Sequence, residues 1–299
     1  MFIIKYKKIF IGVSIALVVL SLISLIVFRL NIGIDFKGGA LSEVVYKDVR
    51  PAQEALYPSL EALDLGTVSL QPTGDLGYIV KTRDINDAEH QALLKTLSQD
   101  DATTLTEVNF NSIGPSVGQE LTRKAIIAIV LVSLAIITFI AFAFRKVSEK
   151  VSSWKYGVIA VVTLVHDVVI SVGIFTVLSH YNGVEVDTLF VVAILTILGL
   201  SVSDTIVIFD RIRENLTLNP KEDFHNTVGK SLEESYVRSI STSLTVILVL
   251  LALVFFGPSS TKYFALMLTA GMFFGTYSSI FLASPLLILV QEWQDSKKN

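Results

Sequence analysis

Long apolar runs recur along the chain, and six of them reach the roughly 20 mostly apolar residues that a helix needs to cross a bilayer. They cover residues 9–30, 125–144, 156–178, 187–209, 237–256 and 263–290. The first has neither the short apolar core nor the small-residue cleavage site of a signal peptide, so we interpret it as a retained anchor. The last contains Pro285, and we expect it to tilt or kink near its end.

The segment between the first two spans, residues 31–122, follows other periodicities. Strand-like patterns cover 40–46, 66–70, 78–82 and 104–111, and helical spacing of apolar residues covers 51–63 and 86–97. The resulting order, βαββαβ, predicts a split-βαβ domain. With fewer than 100 residues, this domain can bury a modest core of its own.

Lysine and arginine residues near the ends of the spans predict the orientation of the chain. They occur in the N-terminus, in the loops 145–155 and 210–235, and in the tail at Lys297 and Lys298, whereas the turns between the other spans carry almost none. Both termini are therefore predicted to be cytoplasmic. The predicted regions are the N-terminus with the first span (1–30), an extracytoplasmic domain (31–122), spans two to six (123–292) and a cytoplasmic tail (293–299).

Composition agrees with a polytopic membrane protein. The chain of 299 residues is 52% hydrophobic and 17% charged, with a mean hydropathy of +0.64. These values exclude an ordinary soluble globule. The net charge of −3 gives no reason to expect nucleic acid binding, and the lack of cysteine excludes disulfides and thiolate metal sites.

Motifs of common enzymes are not found in the sequence. There is no HExxH, no GxSxG and no dinucleotide-binding fingerprint. The stretch FHNTVGKS ends like a nucleotide-binding Walker A loop, but Phe224 replaces its first glycine and no strand precedes it. We therefore predict that the chain is not an enzyme and holds no cofactor or metal, and that the proton gradient supplies any energy it uses.

Two opposite charges occur at similar depth in neighbouring spans. Asp204 lies 17 residues after Asp187, or ~26 Å along a helix, and Arg238 lies 19 residues before Gly257, or ~28 Å. An unpaired ion at that depth is costly, whereas pairing or contact with a wet cavity lowers the cost. Such intramembrane ionisable residues typically mark proton or ion pathways.

Further polar residues accompany these two charges. His166 and Asp167 fall near the middle of the third span, and Ser and Thr residues follow one face of each of the spans three to five. The alternative is that the polar groups only hold helices together, at about 1 kcal/mol per contact. Asp210 and Arg211 lie at the cytoplasmic exit, where interface anchoring is the simpler interpretation.

Five motifs resemble those of the SecF family of bacterial protein-export subunits. They are NIGIDFKGGALSEV (31–44), IGPSVGQEL (113–121), LVHDVVISVGIF (164–175), GLSVSDTIVIFDRIREN (199–215) and VRSISTSLT (237–245). The motifs follow the family's order over nearly the whole chain. GIDFxGG alone is a weak signal, because the related SecD family carries a similar one.

The resemblance implies an α-helical polytopic membrane protein whose six transmembrane helices form half of an RND-type bundle, with a ferredoxin-like extracytoplasmic domain. It implies pairing with SecD at the SecYEG translocon, with YajC and YidC as further candidate partners, in the bacterial cytoplasmic (inner) membrane among its lipids. There, the proton-motive force would promote the export of unfolded polypeptides. It also implies that Asp204 is the proton-pathway aspartate and Arg238 its basic partner.

Two other functions stay open at this point: a passive scaffold of the translocon, and a free-standing RND-like proton-coupled exporter. Exporters of that kind usually contain two related halves, and no internal repeat is found here. Asp35, Phe36, Gly38 and Gly39 lie where the first span meets the outer domain. Their glycines suit a tight joint that transmits motion, or simply a turn.

Overall fold

The computed structural model describes residues 2–99, 101, 104–143 and 153–298. Most of these residues are helical, in α1 (Phe2–Lys5), α2 (Lys7–Phe28), α3 (Ile34–Lys37), α4 (Gln53–Glu61), α5 (Asp87–Leu97), α6 (Pro115–Ala143), α7 (Ser153–Asn182), α8 (Thr188–Leu218), α9 (Phe224–Phe256), α10 (Ser259–Ser278) and α11 (Ser284–Lys298). The chain forms two compact units, Met1–Asn31 with Ile127–Asn299, and Ile32–Ile126.

Six helical segments in the described part of the chain are long and apolar enough to cross a membrane, which confirms the predicted number of spans. Five are α2 and α6 to α9, and the sixth runs from α10 into α11. The structure departs from the sequence between spans four and five. There, α8 and α9 continue beyond the predicted spans and shorten the predicted loop 210–235 to 219–223. The predicted basic loop 145–155 falls mostly outside the described residues.

These helical extensions form because the apolar periodicity continues outside the membrane segment. Ile212 and Leu216 on α8 are buried, as are Phe224, Val228 and Leu232 on α9. Spacings of four residues place each set on one helix face. The two helix ends therefore pack against each other as a short helical hairpin rather than as a loop.

The helix α10 occupies the centre of the first unit, where it packs against α7, α8 and α9. Close approach to α8 depends on glycine, because a Cβ atom on Gly275 would lie 3.2 Å from Cβ of Ser201. By contrast, α6 is largely exposed: only 6% of its most apolar stretch of 18 residues is buried. The bundle thus has a tightly packed interior around α10 and a peripheral helix.

The sixth span is irregular near its end. A turn of π-helix, Ser279–Ala283, separates α10 from α11, and Pro285 follows at once. Proline has no amide hydrogen, and its ring clashes with the carbonyl four residues earlier. A π-turn at this position relieves that clash, which is the form that the expected irregularity takes.

The second unit contains a four-stranded antiparallel sheet. Its strands are β1 (Gly39–Tyr46), β2 (Ser69–Thr73), β3 (Gly77–Thr82) and β4 (Leu105–Ile113), in the order β2-β3-β1-β4. Buried residues of the sheet and of α4 and α5 form one core, among them Val44, Val80, Leu56, Leu60, Leu93 and Leu97. The predicted βαββαβ order and ferredoxin-like fold are thereby confirmed.

Candidate functional site

Asp204 lies on α8 and is half-buried where α8, α9 and α10 meet. Its Oδ2 atom accepts hydrogen bonds from the hydroxyl of Ser243 on α9 (3.2 Å) and from that of Thr276 on α10 (3.0 Å). The two hydroxyl oxygens are 2.5 Å apart. One carboxylate thus connects three membrane-spanning helices through neutral donors.

The hydroxyl groups around Asp204 have a second set of acceptors. The hydroxyl of Ser243 is 2.8 Å from the carbonyl oxygen of Ser239, and that of Thr276 is 3.0 Å from the carbonyl oxygen of Met272. Each hydroxyl has one proton and rotates to suit its surroundings. The site therefore accommodates a charged Asp204, to which the hydroxyls donate, and a protonated Asp204, which itself donates to a hydroxyl oxygen.

Arg238 does not pair with Asp204 in this structure. Over residues 2–99, 101, 104–143 and 153–298, Asp204 forms no ion pair, and the Arg238 side chain is exposed. Successive helical residues are rotated by about 100°, so Ser243 and Arg238 point about 140° apart on α9. Equal depth in the sequence therefore did not imply contact, and the expectation of an ion pair between these two residues is corrected.

A second polar centre lies on α7. Asp167 is fully buried, and its Oδ1 atom is 2.8 Å from Nδ1 of His166. Its Oδ2 atom accepts hydrogen bonds from Ser278 on α10 (2.7 Å) and from Ser201 on α8. Nε2 of His166 is buried without a hydrogen-bond partner among the described residues. Although neighbours on a helix face different directions, these two side chains are in contact.

A run of hydroxyl-bearing residues on the sixth span serves both centres. Thr276 contacts Asp204, Ser278 contacts Asp167, and Ser279 forms a 2.8 Å hydrogen bond with Thr205 on α8. The sequence analysis missed this run. The signal that could have found it is the tetrapeptide TYSS (276–279) within an otherwise apolar span.

Asp210 and Arg211 lie on α8 about two turns before its end at Leu218, and in the described part of the chain they contact neither centre. Arg211 bridges Glu214 (2.6 Å) and Glu234 on α9 (2.7 Å), while Asp210 pairs with Arg213 at 2.5 Å. The side-chain amide of Asn215, which the sequence analysis did not single out, also donates to Glu234 (2.7 Å). The contacts of Arg211 and Asn215 with Glu234 tie the extensions of α8 and α9 together.

The motif residues of the second unit form a close contact. Asp35 and Phe36 belong to α3, which lies against the start of α6. A Cβ atom on Gly118 of α6 would lie 2.9 Å from the carbonyl oxygen of Phe36. Gly38 has a φ of 80°, and a Cβ there would lie 2.9 Å from Cα of Pro115.

Gly39 follows with a φ of 141°, and a Cβ there would lie 2.8 Å from the carbonyl oxygen of Thr82. Both φ values favour glycine. The junction is therefore a packed contact between backbones and not an open turn. This packing brings the motif IGPSVGQEL (113–121), through Gly118, into contact with the motif NIGIDFKGGALSEV (31–44).

The chemistry available at the two centres is that of carboxylates, an imidazole and hydroxyls. No group of three or more His, Asp or Glu side chains that could hold a metal ion is found in the part of the chain that the structure describes. Groups of this kind can take up, hold and release protons.

Comparisons with known proteins agree on one family. The family described as "Protein export membrane protein SecD/SecF, C-terminal" matches residues 92–293. A protein translocase subunit SecF from Thermobaculum terrenum is 41% identical over 296 residues. The match covers 96% of this chain and 92% of the relative's length. The protein translocase subunit SecDF of Bacillus subtilis is 35% identical over 93% of this chain, which corresponds to 36% of that longer protein.

A solved structure shows the same architecture. The crystal structure of SecDF from Thermus thermophilus, described as a translocon-associated membrane protein, superposes with a TM-score of 0.81 at 30% sequence identity. The match covers 98% of this chain and 38% of that chain. From its motifs, its fold and these relatives, the chain belongs to the SecF family of protein-export membrane proteins.

Proposed function

We propose that this chain is the SecF-type subunit of a SecD–SecF complex that uses the proton-motive force to promote protein export through SecYEG. The Bacillus subtilis relative combines a SecF-like portion with a longer remainder in a single protein named SecDF. A separate SecD chain would supply that remainder here. YajC and YidC are further candidate partners, and unfolded exported polypeptide is the proposed substrate.

The observation that carries this proposal is the position of Asp204. It is a half-buried carboxylate within a membrane-spanning helix, held by hydroxyl groups of two other helices. A structural ion pair would provide a fixed counter-charge, and Asp204 has none among the described residues. A carboxylate whose surroundings accept both protonation states is suited to loading and releasing protons.

Protonation of Asp204 would change how α8 is held. The charged carboxylate accepts charge-assisted hydrogen bonds from Ser243 and Thr276, and such bonds are roughly twice as strong as neutral ones. After protonation, both hydroxyls can turn to the carbonyl oxygens of their own helices. The contacts between α8 and its neighbours weaken, and movement of a proton through a membrane potential supplies ~2.3 kcal/mol per 100 mV.

Arg238 takes part from the outer face of α9. Its side chain is exposed, together with those of Ser241 and Thr242. An arginine facing lipid at this depth is costly unless water or another protein covers it. We therefore assign this face to the SecD partner, so that Arg238 acts between the subunits rather than as a fixed partner of Asp204.

The remaining sequence candidates take supporting roles. His166 and Asp167 extend the proton pathway, and Asp210 and Arg211 hold the extension of α8 beyond the predicted span. Asp35, Phe36, Gly38 and Gly39 form the joint that transmits motion. The second unit would lie on the extracytoplasmic side, with both termini in the cytoplasm of a bacterial cell. No reaction on a substrate is proposed for this subunit.

Membrane vesicles that contain SecYEG test the proposal. Release of a secreted protein is measured with and without a proton gradient, in vesicles lacking this chain, carrying it alone or carrying it with its SecD partner. We expect gradient-dependent release only when both subunits are present. Full release with this chain alone would support a free-standing exporter, and equal stimulation without a gradient would support a passive scaffold.

A further inference from the structure

An apolar groove lies on the surface of the bundle, about one helical turn from the Asp204 site, because Ile247 follows Ser243 by four residues on α9 and Phe273 precedes Thr276 by three on α10. Its floor is formed by Leu266, Thr269, Ala270 and Phe273 of α10, and its walls by Ile174 and Leu178 of α7 and Ile247 of α9. Its volume of about 380 Å³ lies within the range of small-molecule sites, roughly 300–1,000 Å³.

The groove presents almost no polar atoms. Its one hydroxyl group, that of Thr269, donates to the carbonyl oxygen of Ala265 at 2.8 Å and is thereby satisfied within its own helix. Small side chains at Thr269 and Ala270 give the floor its depth. A cavity lined in this way does not retain water, so its occupant in a membrane is a hydrocarbon.

One end of the groove carries a positive charge. Lys262 is exposed in the first turn of α10 and precedes Leu266 by four residues, which places both on the same face of the helix. The ammonium lies 6.0 Å from the centre of the Tyr263 ring, a pairing typical of the membrane–water interface. The groove thus runs from the membrane surface into the hydrocarbon.

The start of α10 strengthens this positive end. Its N-cap, Pro258, makes no side-chain cap hydrogen bond, and no acidic residue occurs in the first turn. The amide groups at a helix start favour anions, and phosphate in particular. The acids at this end of the bundle have partners of their own, since Glu185 contacts Asn31 and Asp187 caps α8.

The groove also faces away from the side proposed for the SecD partner. Ile247 follows Arg238 by nine residues on α9, which rotates it by about 180° around the helix axis. The wall of the groove and the exposed polar face of α9 are therefore on opposite sides of one helix. This step depends on the proposed partner, whereas the groove and its charged end do not.

We propose that this groove binds one acyl chain of an anionic phospholipid whose headgroup phosphate contacts Lys262 and the start of α10. The lipid fills the space between α7 and α9 over α10, the helix that carries Thr276 and Ser278. Its chemistry is that of a phosphatidylglycerol-type lipid, with an apolar tail and a single negative charge at the membrane surface.

Photolabelling tests this site independently of export. The complex of this chain with its SecD partner is reconstituted in phosphatidylcholine vesicles that contain trace phosphatidylglycerol or phosphatidylcholine bearing a photoreactive acyl chain. We expect the phosphatidylglycerol probe to label residues 266–273 at least about threefold more than the phosphatidylcholine probe.

Two variants, each with its own control, test the acyl-chain contact and the headgroup contact separately. Ala270→Phe fills the groove and should abolish this labelling, while Ala135→Phe on the exposed face of α6 should not. Lys262→Gln should reduce phosphatidylglycerol labelling to the phosphatidylcholine level, while Lys230→Gln should leave it unchanged.

Three results would overturn the proposal. They are equal labelling by the two probes in the unmodified complex, labelling that survives Ala270→Phe, and capture of the SecD polypeptide instead of lipid by a photoreactive residue at position 270. None of these measurements depends on a proton gradient. Loss of gradient-dependent export and loss of the lipid site are therefore distinguishable.

Discussion

The hydroxyl oxygen of Thr276 lies 3.0 Å from Oδ2 of Asp204, across the interface between α10 and α8. This contact makes Thr276 a positioning residue, because it holds the carboxylate without carrying a charge of its own. Ser243 does the same from α9 at 3.2 Å. The proposed proton site is therefore assembled from three helices, and its properties should depend on the donors as well as on the acid.

Replacement of the donor should impair the site while leaving the acid in place. Thr276→Val keeps the shape of the side chain but removes the hydroxyl, so we expect gradient-dependent export to fall several-fold. The reason is that a half-buried carboxylate loses a charge-assisted hydrogen bond worth about 1.5–3 kcal/mol. Thr276→Ser keeps the donor and should retain most of the activity. Equal activity of the two variants would show that Thr276 only fills space.

Two substitutions of Asp167 separate a role in proton transfer from a role in stabilising the helix bundle. Asp167→Asn preserves the size and most of the hydrogen bonding, so we expect normal assembly with reduced gradient-dependent export. Asp167→Leu leaves the buried hydroxyls of Ser201 and Ser278 and the ring of His166 without their shared acceptor. Ser278 retains the carbonyl oxygen of Gly275 as an acceptor (3.1 Å), and each group left without one costs about 1–3 kcal/mol.

Thermal unfolding of the purified complex should therefore be unchanged in Asp167→Asn and clearly lowered in Asp167→Leu. Assembly and thermal stability are measured beside export to separate the two effects. Normal export by Asp167→Asn would mean that this centre only joins helices and lies outside the proton pathway.

The packed junction of the second unit should not tolerate a side chain. Gly118→Ala places a Cβ atom 2.9 Å from the carbonyl oxygen of Phe36, and overpacking of this kind typically costs about 1–3 kcal/mol. We expect a lower unfolding temperature and reduced export. Gly199→Ala is the matched control, because a Cβ atom there meets nothing within 4 Å. Similar behaviour of the two variants would contradict the close contact between α3 and α6.

The second unit should lose stability at alkaline pH because of Tyr46. Burial, with a further contribution from Tyr78, raises the pKa of Tyr46 from 10.0 to about 12. The unfolded chain therefore releases this proton at a lower pH than the folded chain does. Stability is unaffected below about pH 10 and falls as pH rises from 10 to 12, by on the order of 2 kcal/mol.

Hydrogen exchange of the sheet amides reports unfolding of the second unit, and its pH dependence measures the loss of stability. In Tyr46→Phe the ionisation is absent, so the fall between pH 10 and 12 should flatten. The variant should also be less stable at neutral pH, because the hydroxyl of Tyr46 donates to the carbonyl oxygen of Leu97 at 2.9 Å. An unchanged alkaline slope in Tyr46→Phe would assign the effect to other groups.

The sequence predicted the number of spans and the order of elements in the second unit because both depend on periodic patterns that one chain carries alone. Boundaries were less accurate. The extension of α8 to Leu218 was missed, since its buried residues Ile212 and Leu216 follow the apolar run of the fourth span and lie among charged residues. Charge near a membrane surface was mistaken for a loop.

The sequence predicted the acidic residue of the candidate site but not the residues that contact it. Hydropathy and length give the depth of Asp204 and Arg238 but not their directions around each helix, and the directions decide contact. The donors on the sixth span were missed because Thr276 and Ser278 are ordinary residues in an apolar helix. Only the packing of α10 against α7 and α8 brings them to the two carboxylates.

The most direct test of the proposed mechanism is gradient-dependent release of a secreted protein by vesicles carrying Asp204→Asn, with Asp204→Glu as the matched variant. Asparagine keeps the size and hydrogen bonding of aspartate but cannot exchange a proton, whereas glutamate can. We predict that both variants assemble with their SecD partner, that Asp204→Asn loses the gradient-dependent part of export, and that Asp204→Glu retains a measurable part. Unchanged gradient-dependent export by Asp204→Asn would contradict a proton-carrying role for this carboxylate.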